Sequence, residues 1–190
     1  MKDSKEYQLT LESIEQGRQC NAHEVYRENV LVENFQREFE AVGRANILGI
    51  YGAFHVTSED PQSFPNMTDQ LLKTYGNAIQ TKDILKRKIK GLEITPSKNE
   101  TGQILLLGEI HADKNCLRQE FEQWYTCYRK YGFRHLFMEV GYASAQLLNL
   151  WIKSDNDEIL DQIERNLEKD KVIAKGPNVF EFYRKIKRLC

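Results

Sequence analysis

The chain has 190 residues, with 27 Lys and Arg against 28 Asp and Glu for a net charge of −1, and 41% of its residues are hydrophobic. That length suits one domain, and the mixture lacks the low hydrophobicity and large net charge that hold chains open. The near-neutral balance argues against nucleic acid as a partner. No apolar run reaches the ~18 residues that a membrane span requires, so no membrane association is expected.

The opening residues, Met1-Lys-Asp-Ser-Lys-Glu6, lack the apolar core and cleavage site of a secretory signal, which makes a cytoplasmic location the expectation. The cysteines Cys20, Cys116, Cys127 and Cys190 are too scattered for a zinc site or a disulfide framework and read as reduced thiols.

In chain order, Val25, Val32, Phe35, Phe39 and Val42 recur at helical spacing and predict an amphipathic helix over residues 21–42, with Asn21 and Glu24 as a capping box. Arg27 falls on another face with Leu31 and Asn34, and Arg27 beside Glu28 reads as an ordinary surface pair. Residues 46–51 read as a short buried strand running toward Gly52 and His55, and residues 67–75 and 82–90 as helices. A linker over 93–103 then separates a first segment, 1–92, from a second, 104–190, and the length argument makes them parts of one structural domain.

The second segment reads as a strand at 104–107, a helix at 114–131 with Leu117, Phe121, Trp124 and Tyr128 on one face, and a strand at 133–138. Three more helical stripes follow: Ala143, Leu147, Leu150 and Trp151; Ile159, Ile163 and Leu167; and Phe182, Ile186 and Leu189. A helix between two strands is the pattern of a βαβ crossover, so the fold class predicted is α/β, a short, mainly parallel sheet covered by helices.

Open parallel sheets bind ligands beyond the carboxyl ends of their strands. Here one strand runs into Glu109 and His111, another into Glu139 and a third into His55. In an extended chain the two-residue period places Glu109 and His111 on one side. A histidine titrates near neutrality and takes a proton from water, and a carboxylate orients it. Two histidines and a glutamate also form a known catalytic metal set. Arg27 offers a permanent charge for a developing oxyanion. His135, in mid-strand, and His23, in a first helical turn, read as structural, and the basic clusters at 86–88 and 184–188 as helix C-terminal charges.

Gly108-Glu-Ile-His111, followed by Gly132-Phe-Arg-His-Leu-Phe-Met-Glu139, resembles the opening of the erythromycin-esterase-like superfamily, itself similar to the Tiki/TraB proteins and the bacterial haem-uptake lipoproteins. Arg27-Glu28-Asn-Val-Leu-Val-Glu-Asn34 and Gly49-Ile-Tyr-Gly-Ala-Phe-His55 resemble the closing part of the same domain. The two parts stand in reversed order, so the chain reads as permuted or incomplete relative to the family: a circular permutant, a piece of a tandem array, or a homodimer whose chains complete each other.

The resemblance implies a hydrolase in which activated water attacks an ester or amide carbonyl of a small-molecule or peptide substrate. It implies His111 as general base, Glu139 as its orienting or proton-sharing partner, His55 as second base, and Glu109 and Arg27 beside them, Arg27 toward the oxyanion. In a metal-dependent member His111, His55 and Glu139 would hold a divalent metal. The alternatives are a non-catalytic binding or assembly module and, from the haem-uptake kinship, a haem- or metal-binding protein.

Overall fold

Four strands pair into one sheet: β1 (Ile47–Gly52), β2 (Ile79–Asp83), β3 (Ile104–Glu109) and β4 (His135–Met138). A computed structural model describes residues 23–57, 64–85, 102–170 and 177–190. All the strand pairs are parallel, in the spatial order β2-β3-β1-β4. The two interior strands, β1 and β3, are apolar almost throughout, as strands covered on both faces must be. The edge strand β2 carries Gln80, Thr81, Lys82 and Asp83 instead, and charge on an edge discourages pairing with other chains.

The two-residue alternation sends side chains to two separate cores. On one face Ile47, Tyr51, Ile104 and Leu106 meet Val32, Phe35 and Phe39 of α1 (His23–Ala41) and Met67 and Leu71 of α3 (Met67–Tyr75). On the other, Leu48, Leu105 and Leu107 meet Leu117 and Trp124 of α4 (Lys114–Tyr131). Also packed there are Leu148 and Trp151 of α5 (Tyr142–Trp151), Ile163 of α6 (Glu158–Asp170), and Phe182 and Ile186 of α7 (Pro177–Leu189). Each fully buried side chain of this size contributes about 1.5–3 kcal/mol by leaving water. The architecture is therefore α/β, a parallel sheet between two helical layers.

The register decides where the chemistry falls. Gly52 lies opposite Glu109, and Ile50 opposite Met138. The backbone N–H of Glu139 donates to the carbonyl of Ile50 over 3.1 Å, carrying the pairing one residue beyond β4. The carboxyl ends of β1, β3 and β4 are thus level and adjacent. Between β1 and α3 stands one turn of helix, α2 (Ala53–Val56), which bears His55. Asp113 caps α4, accepting from the N–H groups of Asn115 and Cys116, and the left-handed Gly132 (φ 73°) ends it.

Several expectations are corrected. Lys82 and Asp83 belong to strand β2 and not to a helix, because backbone pairing with β3 outweighs the helical propensity of the charged run; residues 86–90 of that predicted helix lie outside the described residues. β3 extends to Glu109, and β4 begins only at His135. The strands joined by α4 are not neighbours, since β1 lies between them. In α5 the predicted stripe is mostly exposed, with Leu147 and Leu150 in solvent and Leu148 and Trp151 turned inward. Asn21 and residues 93–101 of the expected linker lie outside the described residues. No helix among the described residues is long and apolar enough to cross a membrane. Among the described residues Cys116, Cys127 and Cys190 are free thiols.

Candidate functional site

The level strand ends bring His111, Glu139, His55 and Glu109 into one cluster. Glu109, the last residue of β3, is 6% exposed, and its Oε1 is hydrogen-bonded to Nδ1 of His111. β3 ends at Glu109, and a turn closed by the Asp113 N–H donating to the Ile110 carbonyl, with Ala112 at φ 62°, follows. From α2, Nδ1 of His55 meets Oε2 of Glu28 at 2.5 Å. With each Nδ1 engaged by a glutamate, the Nε2 atoms are the free ends, and both face Glu139: His55 Nε2 lies 3.4 Å from Oε1 and His111 Nε2 3.6 Å from Oε2. The Gly52 N–H donates to Glu139 Oε2 over 2.9 Å and fixes the carboxylate between the two rings.

Glu28, expected as half of a surface pair with Arg27, is instead buried. It is 1% exposed, and besides His55 it accepts the backbone N–H of Met67, the first residue of α3. A carboxylate at a helix N-terminus meets unpaired N–H groups and the positive end of the helix dipole, which offsets the cost of burying its charge. Asn66 sets the helix end in place: its side chain accepts from Asp69 N in a reciprocal capping box, and its Nδ2 donates to the carbonyl of Thr57, 2.8 Å away. The signal was present in the sequence. Positions 25, 28, 32, 35 and 39 form a single three-and-four series, so Glu28 fills a place inside the apolar stripe. Arg27 lies on the exposed side of the same turn.

Electrostatics follow from this geometry. Burial alone would lower the basicity of His55, but hydrogen bonds to Glu139 and Glu28, and their charges, outweigh it and push the imidazole up to about 9. The bond to Glu109 raises His111 despite partial burial. For Glu139 burial works upward, yet His55, the Gly52 N–H and His111 together hold the carboxyl below its ordinary range. The two shifts favour the charged forms of His55 and Glu139, and His111, 44% exposed at its side chain, is the open member of the cluster.

Among the described residues no group of three or more His, Cys, Asp or Glu side chains is arranged to hold a metal ion. His135 opens β4 outside this cluster, half-buried. The basic residues of α7 have structural partners: Arg184 bonds Asp157 and Asp161, and Lys187 lies over the Trp151 ring. Models of known protein families, curated proteins and solved structures contain no match to this chain.

Proposed function

We propose that the protein is a hydrolase of the erythromycin-esterase/Tiki-like type that directs water onto an ester or amide carbonyl. The observation that carries this reading is the pair of Glu–His couples whose free Nε2 atoms face one carboxylate at the carboxyl ends of three parallel strands. His111, held in one tautomer by Glu109, takes the proton of a water lying against Glu139. His55, whose two ring nitrogens face Glu28 and Glu139, holds the Glu139 carboxylate ionised and in place against that water. The proton on His111 then passes to the departing alkoxide or amine, restoring the base. The substrate class in this reading is an acyl compound, small molecule or peptide.

The test is hydrolysis of a panel of aryl esters, alkyl esters and peptide amides by wild type and His111→Ala. Removing a general base costs roughly 100-fold or more. Full turnover by a folded His111→Ala protein would sink the assignment.

One observation favours a second reading, an assembly module. Strand β4 is an edge without charge, its side chains half-buried, and α5 nearby in the chain exposes Tyr142 (70%) and Leu150 (60%). Edges of this kind recruit strands from other chains. Light scattering that returns a stable dimer, together with a blank hydrolysis panel, would favour it.

A further inference from the structure

Each strand end that delivers a site residue also delivers a large apolar side chain to the surface. Past β1, Phe54 of α2 is 42% exposed, and its ring stands edge-on to that of the neighbouring His55, with centroids 5.5 Å apart and planes 82° apart. Past β3, Ile110 is 58% exposed between Glu109 and His111, its Cα about 3.8 Å from that of His111 across one peptide bond. Past β4, the exposed Tyr142 opens α5 three residues beyond Glu139, which keeps the two Cα atoms within about 11 Å of each other. A solitary exposed apolar side chain needs no explanation. Three beside one charged cluster make the mixed surface that binds small molecules, a few polar groups set in an apolar rim.

We propose that Phe54 is a specificity-determining residue whose exposed ring, with Ile110 and Tyr142, holds an uncharged apolar group carried by the carbonyl compound that the cluster attacks. The ring lies against His55, whose Nε2 is 3.4 Å from Glu139, so a group resting on it sits one side chain away from the attacked atom. Phe54 is also held in place. The Thr57 N–H closes α2 by donating to the Ala53 carbonyl over 2.8 Å, and α2 rests directly on β3, where a Cβ at Gly108 would lie 3.2 Å from Ala53 Cα. Neither Phe54 nor Ile110 has a side-chain donor or acceptor, so a polar or charged group placed there would lose its hydration without a partner. The apolar contact stands on this geometry; that its occupant carries a scissile carbonyl rests on the hydrolytic reading above.

The experiment has a binding arm and a turnover arm, both on the full-length protein. In the first, benzylacetone, a phenyl-bearing ketone with no bond to hydrolyse, is compared with acetone by NMR, reading the amide resonances of residues 52–55 and 109–111. Benzylacetone should bind the more tightly. Phe54→Ala should weaken it about tenfold, the worth of ~55 Å² of apolar contact, and Phe54→Leu, still apolar, should weaken it less. Leu72→Ala, which removes an equally exposed side chain of α3, should change nothing. In the second arm the kcat/KM ratio of benzyl acetate to methyl acetate should fall by the same factor in Phe54→Ala. No preference for benzylacetone in wild type, or an equal weakening in Leu72→Ala, overturns the proposal. So does a Phe54→Ala protein that slows both esters alike, since the ring would then be a prop for His55. Resonances that move with protein concentration and not with ketone would give the patch to a second copy of the chain, which also overturns it. Phe54-dependent ketone binding with a blank ester panel would fell the hydrolytic reading and leave the apolar site, and hydrolysis with an unchanged ester ratio would do the reverse.

Discussion

Gly52→Ala separates the fold from the chemistry. Gly52 has φ −50° and ψ 140°, a conformation open to any residue, so alanine meets no backbone strain there. An added Cβ would lie 3.4 Å from Glu139 Oε2 and 3.5 Å from His111 Nε2, ordinary contacts that require no movement. Gly→Ala at a compatible site stabilises by about 0.4–1 kcal/mol through the unfolded chain, and a slightly poorer start to the short helix α2 offsets part of that. The net change in stability should therefore stay within about 1 kcal/mol of zero. Turnover should respond quite differently. A water hydrogen-bonded to both Glu139 Oε2 and His111 Nε2 would sit ~2.8 Å from each, in the space that the methyl occupies. Misplacing the nucleophile by such a distance costs on the order of 100-fold. Thermal unfolding and ester hydrolysis on the same preparation test both halves. A folded Gly52→Ala protein with turnover within about twofold of wild type would refute the placement of the water.

The remaining predictions concern charge, pH and metal. Glu28→Gln keeps an acceptor for the Met67 N–H but removes the charge beside His55, so the His55 titration should fall by about 1–3 units from its raised value, as read by NMR. An unmoved midpoint would remove Glu28 from the site. His55 (about 9) and Glu120 (about 8) both bind protons more tightly folded than unfolded, so their stabilisation is complete in mild acid and declines as pH rises, from about 4.5 to 8 for Glu120 and about 6.5 to 9 for His55. Glu139, held low, has the opposite sign and loses its contribution only as pH falls below about 4.5. Unfolding by urea should thus show stability dropping on the order of 5 kcal/mol between pH 6 and 9, and a flat profile would contradict both assignments. Because His111 must be neutral to act as base, the rate should rise with pH through its raised midpoint, and Glu109→Gln should move that rise to lower pH. The proposed attack of water activated by His111 uses no metal, so chelation should leave the rate unchanged, and a chelator-sensitive rate restored by a divalent cation would overturn it.

Much of the frame was legible because it rests on periodicity. The apolar runs at β1 and β3, the stripe of α1 and the endings at Glu109, Glu139 and His55 are local patterns, and strand ends collect chemistry in any parallel sheet. Strand β2 was not legible, since its polar, charged side chains suit an edge, and only the backbone of β3 makes it a strand. Glu28 and Glu120 went unread for a shared reason. Each takes a position inside an apolar helical stripe, where surface propensity suggests a solvated charge and only tertiary structure shows the burial, offset for Glu28 by the N–H of Met67. A charged residue in register with buried neighbours is therefore a better marker of a site than one merely close to a motif.

The two segments of the chain interleave in the sheet. Strands of the first and second segments alternate across it, β2 and β1 from one, β3 and β4 from the other. Glu28 and His55 arrive from the first segment, Glu109, His111 and Glu139 from the second, and the parallel register levels their strand ends whatever the order of synthesis. Close approach pins the segments together at the opposite end of the strands: the Gly102 N–H donates to the Arg44 carbonyl over 2.7 Å, and a Cβ at Gly102 would lie 2.5 Å from that oxygen. Backbone cannot yield there as a flexible side chain could, so Gly102→Ala should push the entry of β3 away from that of β1. Loss of the site would then accompany loss of stability, the reverse of what Gly52→Ala does. The two substitutions, one at each end of the same strand pair, divide what the register holds together from what the strand ends do with it.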